Sequence, residues 1–336
     1  MLEFQLRAAT RRIETIREMA ASSSADTSYR SVFESWDGRA SVRSSPFRSL
    51  GEDAASGLYF SPDLLPALGH ELVAQRGAVA ADYLMIQRLY QYLSFTVDLE
   101  ETCVVPVTSI LGRGLVDLRL TDGMRLDAFK IATDEAYHSQ FTYSLMDQVT
   151  KATGIRPIPP GDPWFLREYR RIAEVDDSRL RGLLPIFFAV VSETLVSKML
   201  TELPRDQRIV SGIREVLSDH ASDEGRHHVY FRWLLREVWP QLSIAEKEQL
   251  GSQIPRFIRA FLEPDIVELS VSLKAVGLSM PEIEEVVHSV HPEDVVARDV
   301  ASAGAQTVKY FQEVGALDLA VVEDSFARFG LTALQS

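Results

Sequence analysis

The sequence predicts an all-α protein, in which four long helices make a bundle core and additional N- and C-terminal helices extend it. Three observations carry this reading. Apolar residues recur at three- and four-residue intervals over long stretches, the period of one helix face. No alternating apolar–polar run with turn residues at hairpin spacing is present. Four of the periodic stretches are long enough to run the length of a bundle. The chain reads as one domain over 1–336, with 1–60 as an N-terminal helix and loop, 61–315 as the bundle core and 316–336 as a C-terminal helix.

Residues 3–20 carry Phe4, Leu6, Ile13, Ile16 and Met19 on one helical side. The polar, serine-rich stretch 21–48 reads as loop. Ser61-Pro62-Asp63 reads as a helix start, serine at the N-cap and proline in the first turn, for a helix to about residue 75. The first long helix is expected over 78–103, ending before Pro106, with a short helix at 109–118. The second covers 122–151 and is closed by Gly154. The proline-rich stretch 157–163 is a connector, followed by a helix over 163–175. The third long helix spans 179–203, kinked at Pro185, and the fourth spans 206–238, stopped by Pro240. Further helices are expected at 243–275, 280–289, 293–314 and 319–329.

The long helices carry an unusual set of polar residues. His220-Ala-Ser-Asp-Glu224-Gly-Arg-His227 sets three metal-capable side chains at i, i+4 and i+7, on one helix face. Asp134-Glu135-Ala-Tyr-His138 is a shorter copy, and both read Asp-Glu-x-x-His. Glu-x-x-His from each of two helices, with a glutamate from each of two more, is the ferritin-like di-iron arrangement. The other two glutamates are present. Glu100 shares a face with Leu93, Thr96, Val97 and Val104, which favours it over Glu101, and Glu193 sits inside the apolar run 187–196. Burying a lone carboxylate costs several kcal/mol unless it is paired or binds a metal. Oxygen and imidazole donors without thiolate suit iron or manganese better than structural zinc. Asp134 and Asp223 are expected to orient the ligating histidines from behind. Small residues one turn from Glu100 and Glu193 suggest a substrate cavity lined by Leu93, Thr96, Val97, Ala189, Val190, Val196 and Ser197.

The composition excludes other classes. A formal net charge of −13 and an isoelectric point near 5.1 argue against nucleic-acid partners, whose phosphates require a basic face. One cysteine, Cys103, fits a reducing cytoplasm and reads as a small buried residue. The most apolar run, 183–191, is shorter than the roughly 20 residues of a membrane span.

The set Glu100, Glu135-x-x-His138, Glu193, His220-x-x-x-Glu224-x-x-His227 resembles the para-aminobenzoate N-oxygenase family over about residues 60–315. The spacings from Glu100 to Glu135 and from Glu193 to His220 are similar to those of the family, as is the placing of Pro106. The resemblance implies two iron ions and O2 as co-substrate. It implies a peroxo-diferric species and oxidation of an amine to hydroxylamine, nitroso or nitro product in natural-product biosynthesis. It implies His220 as a seventh protein ligand, beyond the two histidines of an ordinary ferritin-like site. From their helix spacing, His220, Glu224 and His227 are expected to reach the same iron. A basic residue near the C-terminus that holds the substrate is also implied, with Arg298 and Lys309 as nearest candidates. No nucleotide-binding glycine fingerprint follows a strand, so electrons are expected from an external donor or reductase. A C–H hydroxylase or desaturase on the same scaffold is the alternative, and an iron-storage bundle the non-enzymatic one. Expected partners are a small-molecule amine and the donor, without membrane or nucleic acid; a homodimer is left open.

Overall fold

A computed structural model describes residues 29–159, 161–195 and 198–331, with only the backbone of Lys198. The helix expected over 3–20 lies outside the described residues, as do Val196 and Ser197. Among the described residues the elements are helical, and the only β pairing is an isolated bridge between Leu58 and Ile209.

Helix α1 (Ala78–Leu99) runs into a π-helical turn (Glu100–Val104) and on into α2 (Val105–Arg113). Helix α3 (Asp122–Thr153) begins at Thr121, whose side chain accepts from the Met124 N–H. It ends where Gly154 takes φ +71°, a left-handed cap that glycine adopts without steric cost. After α4 (Trp164–Ala173) comes α5 (Ser178–Thr194), capped by Asp177, then α6 (Ser211–Val238). Helices α7 (Ile244–Gly251), α8 (Ile254–Leu262), α9 (Ile266–Ala275), α10 (Met280–Val290), α11 (Glu293–Glu313) and α12 (Ala320–Arg328) complete the chain. Helix α3 packs against α1, α2 and α6, and α6 packs against α5, so these helices form the bundle.

Several expected boundaries move, each for a local reason. The first long helix does not end before Pro106. The π turn inserts a residue ahead of it, and Pro106 falls in the first turn of α2, where its missing N–H costs no hydrogen bond. The expected short helix at 109–118 is therefore Val105–Arg113. No continuous helix spans 61–75: Pro62 and Pro66 each restart the chain, giving two 3-10 turns and one turn of α-helix (Glu71–Ala74). The third long helix stops at Thr194 because Leu195 is extended (φ −89°, ψ 118°), and Lys198–Glu202 is separate. The fourth begins at Ser211 rather than 206, and the stretch 243–275 is three helices. The expected loop 21–48 holds two short turns, Trp36–Arg39 and Ser41–Ser44.

Two apolar clusters fill the bundle. One takes Ile131, Phe187, Phe188 and Tyr230; the other takes Leu89, Leu93, Leu145 and Leu217. Along α1, α3 and α6, the buried polar residues fall between the members of these clusters. Residues 178–205 have the length and hydropathy of a membrane span, but 80% of their most apolar window is buried inside the protein, so this segment serves as core.

The start of α6 is fixed by a close approach. Gly212 donates its N–H to Leu50 O at 3.1 Å, and a Cβ at Gly212 would meet Ser49 O at 2.1 Å and Leu50 Cα at 2.6 Å. Both are backbone atoms that cannot turn aside. Gly212→Ala is expected to cost about 1–3 kcal/mol, the usual range for overpacking a tight site, read as a lowered urea midpoint. An unchanged midpoint would show that residues 49–50 are free to move off the helix.

Candidate metal centre

Seven side chains from four bundle segments converge between the two apolar clusters. Glu100 comes from the π turn, Glu135 and His138 from α3, Glu193 from the last turn of α5, and His220, Glu224 and His227 from α6. The π turn bears on this directly, since such turns re-aim side chains relative to a regular helix. Glu100 is 3% exposed while Glu101 is exposed, which decides between them. Glu135, His138 and His227 have no exposed surface, and Glu193 and His220 are buried.

The donor atoms form two groups: Glu100, His138 and His220; and Glu135, Glu193, Glu224 and His227. Glu224 stands between them, with its Oε1 3.2 Å from His220 Nε2, 3.3 Å from His227 Nδ1 and 3.5 Å from His138 Nδ1. His220 Nε2 also lies 3.2 Å from Glu100 Oε1. The expectation that His220 and His227 reach the same ion is thus corrected. They share a face but stand two turns apart, roughly 10 Å along the axis, and fall in different groups.

The two aspartates work across the helices. His227 Nε2 lies 3.3 Å from Asp134 Oδ2, and His138 Nε2 lies 3.1 Å from Asp223 Oδ2. Each Asp-Glu-x-x-His element therefore braces the histidine of the other. With Nε2–H donating to an aspartate, Nδ1 is the ring nitrogen that faces the carboxylates and that an ion would take in place of a proton. Both aspartates are held in turn by the segment before the bundle. Trp36 Nε1 donates to Asp134 at 2.9 and 3.0 Å, and the Ser41 N–H and hydroxyl donate to Asp223, which also pairs with Arg226. Phe33 stacks on the His227 ring at 6.1 Å, and Ser139 Oγ donates to Glu100 at 3.1 Å. Sequence reasoning missed Trp36, Ser41, Phe33, Ser139 and Arg226. The available signal was Phe33 and Trp36, two of the four aromatic residues in the serine-rich stretch 21–48.

The residues fit a pair of cations. Glu135 Oε1, Glu193 Oε2 and His227 Nδ1 are buried without a well-directed hydrogen bond, although His227 Nδ1 and Glu135 Oε1 approach to 2.9 Å as an ion pair. Buried polar atoms are almost always satisfied, so convergent orphan donor atoms indicate an ion. Four carboxylate charges also balance two divalent ions. Without them the site is electrostatically stressed. Burial, with the Glu224 and Glu135 charges, pushes the Glu193 carboxyl well up. Burial raises Glu100 to about 7 despite its bond to His220. Burial and His138 pull His220 down, but Glu100 and Glu224 outweigh them and lift it to about 9.

A cavity of about 330 Å³ opens on both groups, reaching Glu100, Glu135, Glu193, His220 and Glu224. Its other walls are mainly apolar, including Tyr92, Phe95, Leu99, Leu195 and Phe261. Of the expected lining among the described residues, Thr96 alone is present. Leu93, Ala189 and Val190 are packed in the apolar clusters, and the half-buried Val97 is not among the cavity's walls. The cavity meets α5 at Ser192, Glu193 and Leu195, where the helix ends, whereas Ala189 and Val190, a turn earlier, are packed against neighbouring helices. Arg298 is exposed and pairs with Asp294 at 3.2 Å, and Lys309 is exposed; neither lines the cavity.

The P-aminobenzoate N-oxygenase AurF family matches residues 25–315 of the chain. The chain belongs to that family. Over 147 residues it is 24% identical to the 4-aminobenzoate N-oxygenase of Streptomyces thioluteus, a match covering 43% of this chain and 44% of that protein. The family is one of N-oxygenase enzymes, and the two groups of buried glutamate and histidine are residues that can bind metal in it.

Two outcomes test this geometry. A divalent ion must displace the proton of Glu100 below about pH 7 and that of His220 below about pH 9. Metal affinity is therefore expected to rise from pH 6 to 9 with proton release on loading, followed by titration calorimetry in buffers of different ionisation enthalpy; a pH-independent affinity would contradict it. Trp36→Phe keeps the ring and removes the N–H that holds Asp134. It is expected to weaken metal binding on the order of tenfold in competition with a chelator, and an unchanged affinity would show that Asp134 needs no outer support.

Proposed function

We propose that this protein is a di-iron amine N-oxygenase, with Glu100, Glu135, His138, Glu193, His220, Glu224 and His227 as iron ligands. The observation that carries the reading is the pair of buried donor groups opening on one cavity, in a chain of an N-oxygenase family. When bound, the two irons supply the reductive activation of O2. The four glutamates neutralise the metal charge, and the histidines, oriented by Asp134 and Asp223, complete the ligand set. Glu135, with Oε1 2.9 Å from His227 and Oε2 3.1 Å from His138, and Glu224 between His220 and His227 are the carboxylates that face both donor groups.

The cavity walls determine what reaches the metals. Tyr92, Phe95, Leu99, Leu195 and Phe261 give it an apolar surface, which disfavours a charged ammonium. An amine there keeps the lone pair that oxygen transfer to nitrogen requires. Electrons are supplied by an external donor or reductase. The work is expected in a reducing cytoplasm.

Anaerobic iron loading is expected to give two ions per chain, and mixing with amines and O2 to give products heavier by oxygen on nitrogen. Products oxidised on carbon would move the reading to a hydroxylase, and iron uptake without product to storage. His220→Ala is expected to retain iron while amine oxidation falls at least about tenfold, read by iron content and product mass. An unchanged rate at full iron occupancy would make His220 a bystander.

A further inference from the structure

A second cavity, of about 550 Å³, adjoins the first. The two share Tyr92, Phe95 and Phe261. Phe95 packs on Phe165 at 4.6 Å and on Phe261 at 5.4 Å between ring centroids, so the boundary is an aromatic neck. Phe95 and Phe261 are half-buried and can be touched from both sides.

The chambers differ in chemistry. Apart from the donor groups, the inner one is mostly hydrocarbon and aromatic. The outer one is lined along α1 by Gln87, Arg88, Gln91, Ser94 and Asp98. Some of these are already occupied: Gln87 donates to Arg156 O and accepts from the Ile158 N–H, and Gln91 donates to Glu268 O and Ser272 Oγ. Arg88 is not. Its hydrogen bond is to Met199 Sδ at 3.4 Å and its ring contact is Phe60 at 5.9 Å, poor partners for a guanidinium, and among the described residues it makes no ion pair. Asp98, half-buried on the same wall, has neither hydrogen bond nor ion pair among them. Of the other acids of this chamber, Asp265 accepts from the Trp164, Val267 and Glu268 N–H groups, Glu263 pairs with Arg259, Glu268 accepts from the Gly161 N–H, and Asp299 is exposed at the rim. A chamber that keeps unpaired polar groups beside an apolar neck is suited to a ligand with both characters.

We propose that the two cavities are one substrate site: the inner chamber takes the amine with an adjoining apolar section, and the outer takes a polar, hydrogen-bonding remainder. The substrate is then an extended amine, larger than a single substituted ring, and the neck of Tyr92, Phe95 and Phe261 sets the length of its apolar section. This rests on the N-oxygenase reading above, because that reading puts the amine at the metal end.

The test uses the full chain loaded with iron and kept anaerobic, with binding read by calorimetry. The probes are 4-aminobenzoate and 4-aminobenzoyl-glycyl-glycine, which share the aniline end and differ in the polar extension. The extended probe is expected to bind at least tenfold tighter. Ser302→Trp and, separately, Ala303→Trp place an indole in the outer chamber from an exposed face of α11, so folding is not at risk at two sites together. Each is expected to bring the ratio of the two affinities near one. A wild-type protein without preference for the extended probe overturns the proposal, as does a preference that survives both variants, which would make the outer cavity a passage only. Failure of the N-oxygenase reading looks different: the preference is present, and on addition of reductant and O2 neither probe is oxidised at nitrogen.

Discussion

Four carboxylates in the middle of an apolar bundle must be neutralised, and most of the structure follows from that demand. Desolvation alone makes an isolated buried carboxylate untenable, and Glu193 shows it, with its carboxyl pushed well above its ordinary range. The histidines supply part of the compensation by taking protons. They cannot satisfy every donor atom: Glu135 Oε1, Glu193 Oε2 and His227 Nδ1 are left without a well-directed hydrogen bond. A pair of divalent ions would remove the surplus charge and give those atoms something to bind. The apolar clusters on either side then act as insulation that keeps water from competing for the same positions.

Crossed support is the second theme. Asp134 holds His227 and Asp223 holds His138, so neither helix can orient its own ligand without the other. The segment containing Trp36 and Ser41 ties both aspartates from outside. Sliding α3 against α6 by one turn would break both braces together, which favours a single rigid arrangement over a set of nearby ones.

The parts legible in the sequence were those written in local spacing. Glu100, Glu135, His138, Glu193, His220, Glu224 and His227 were readable because polar residues at helical intervals inside apolar runs demand an explanation. Asp134 and Asp223 were readable from their repeated place before each motif glutamate. What depends on how segments meet was not. The serine-rich stretch gave no periodic signal, so the bonds of Trp36 and Ser41 across the fold were hidden. The cavity wall was misplaced because small residues such as Ala189 were read as empty space, when they are filled by neighbouring helices. The helix through Pro106 was lost because a proline ordinarily ends a helix, and the π turn that accommodates it has no sequence mark of its own.

That π turn ties two things together. It contains one residue more than a regular turn would, and it lies between the stripe of α1 facing the cavities and the rest of the bundle. Removing a residue from 100–104 would restore ordinary winding and rotate α1 by about 100° relative to α2. Tyr92 and Phe95 would swing off the cavity wall in the same movement that displaced Glu100. The metal's neighbour and the shape of the space beside it are therefore set by one insertion, and in this chain a change in its length could not alter one without the other.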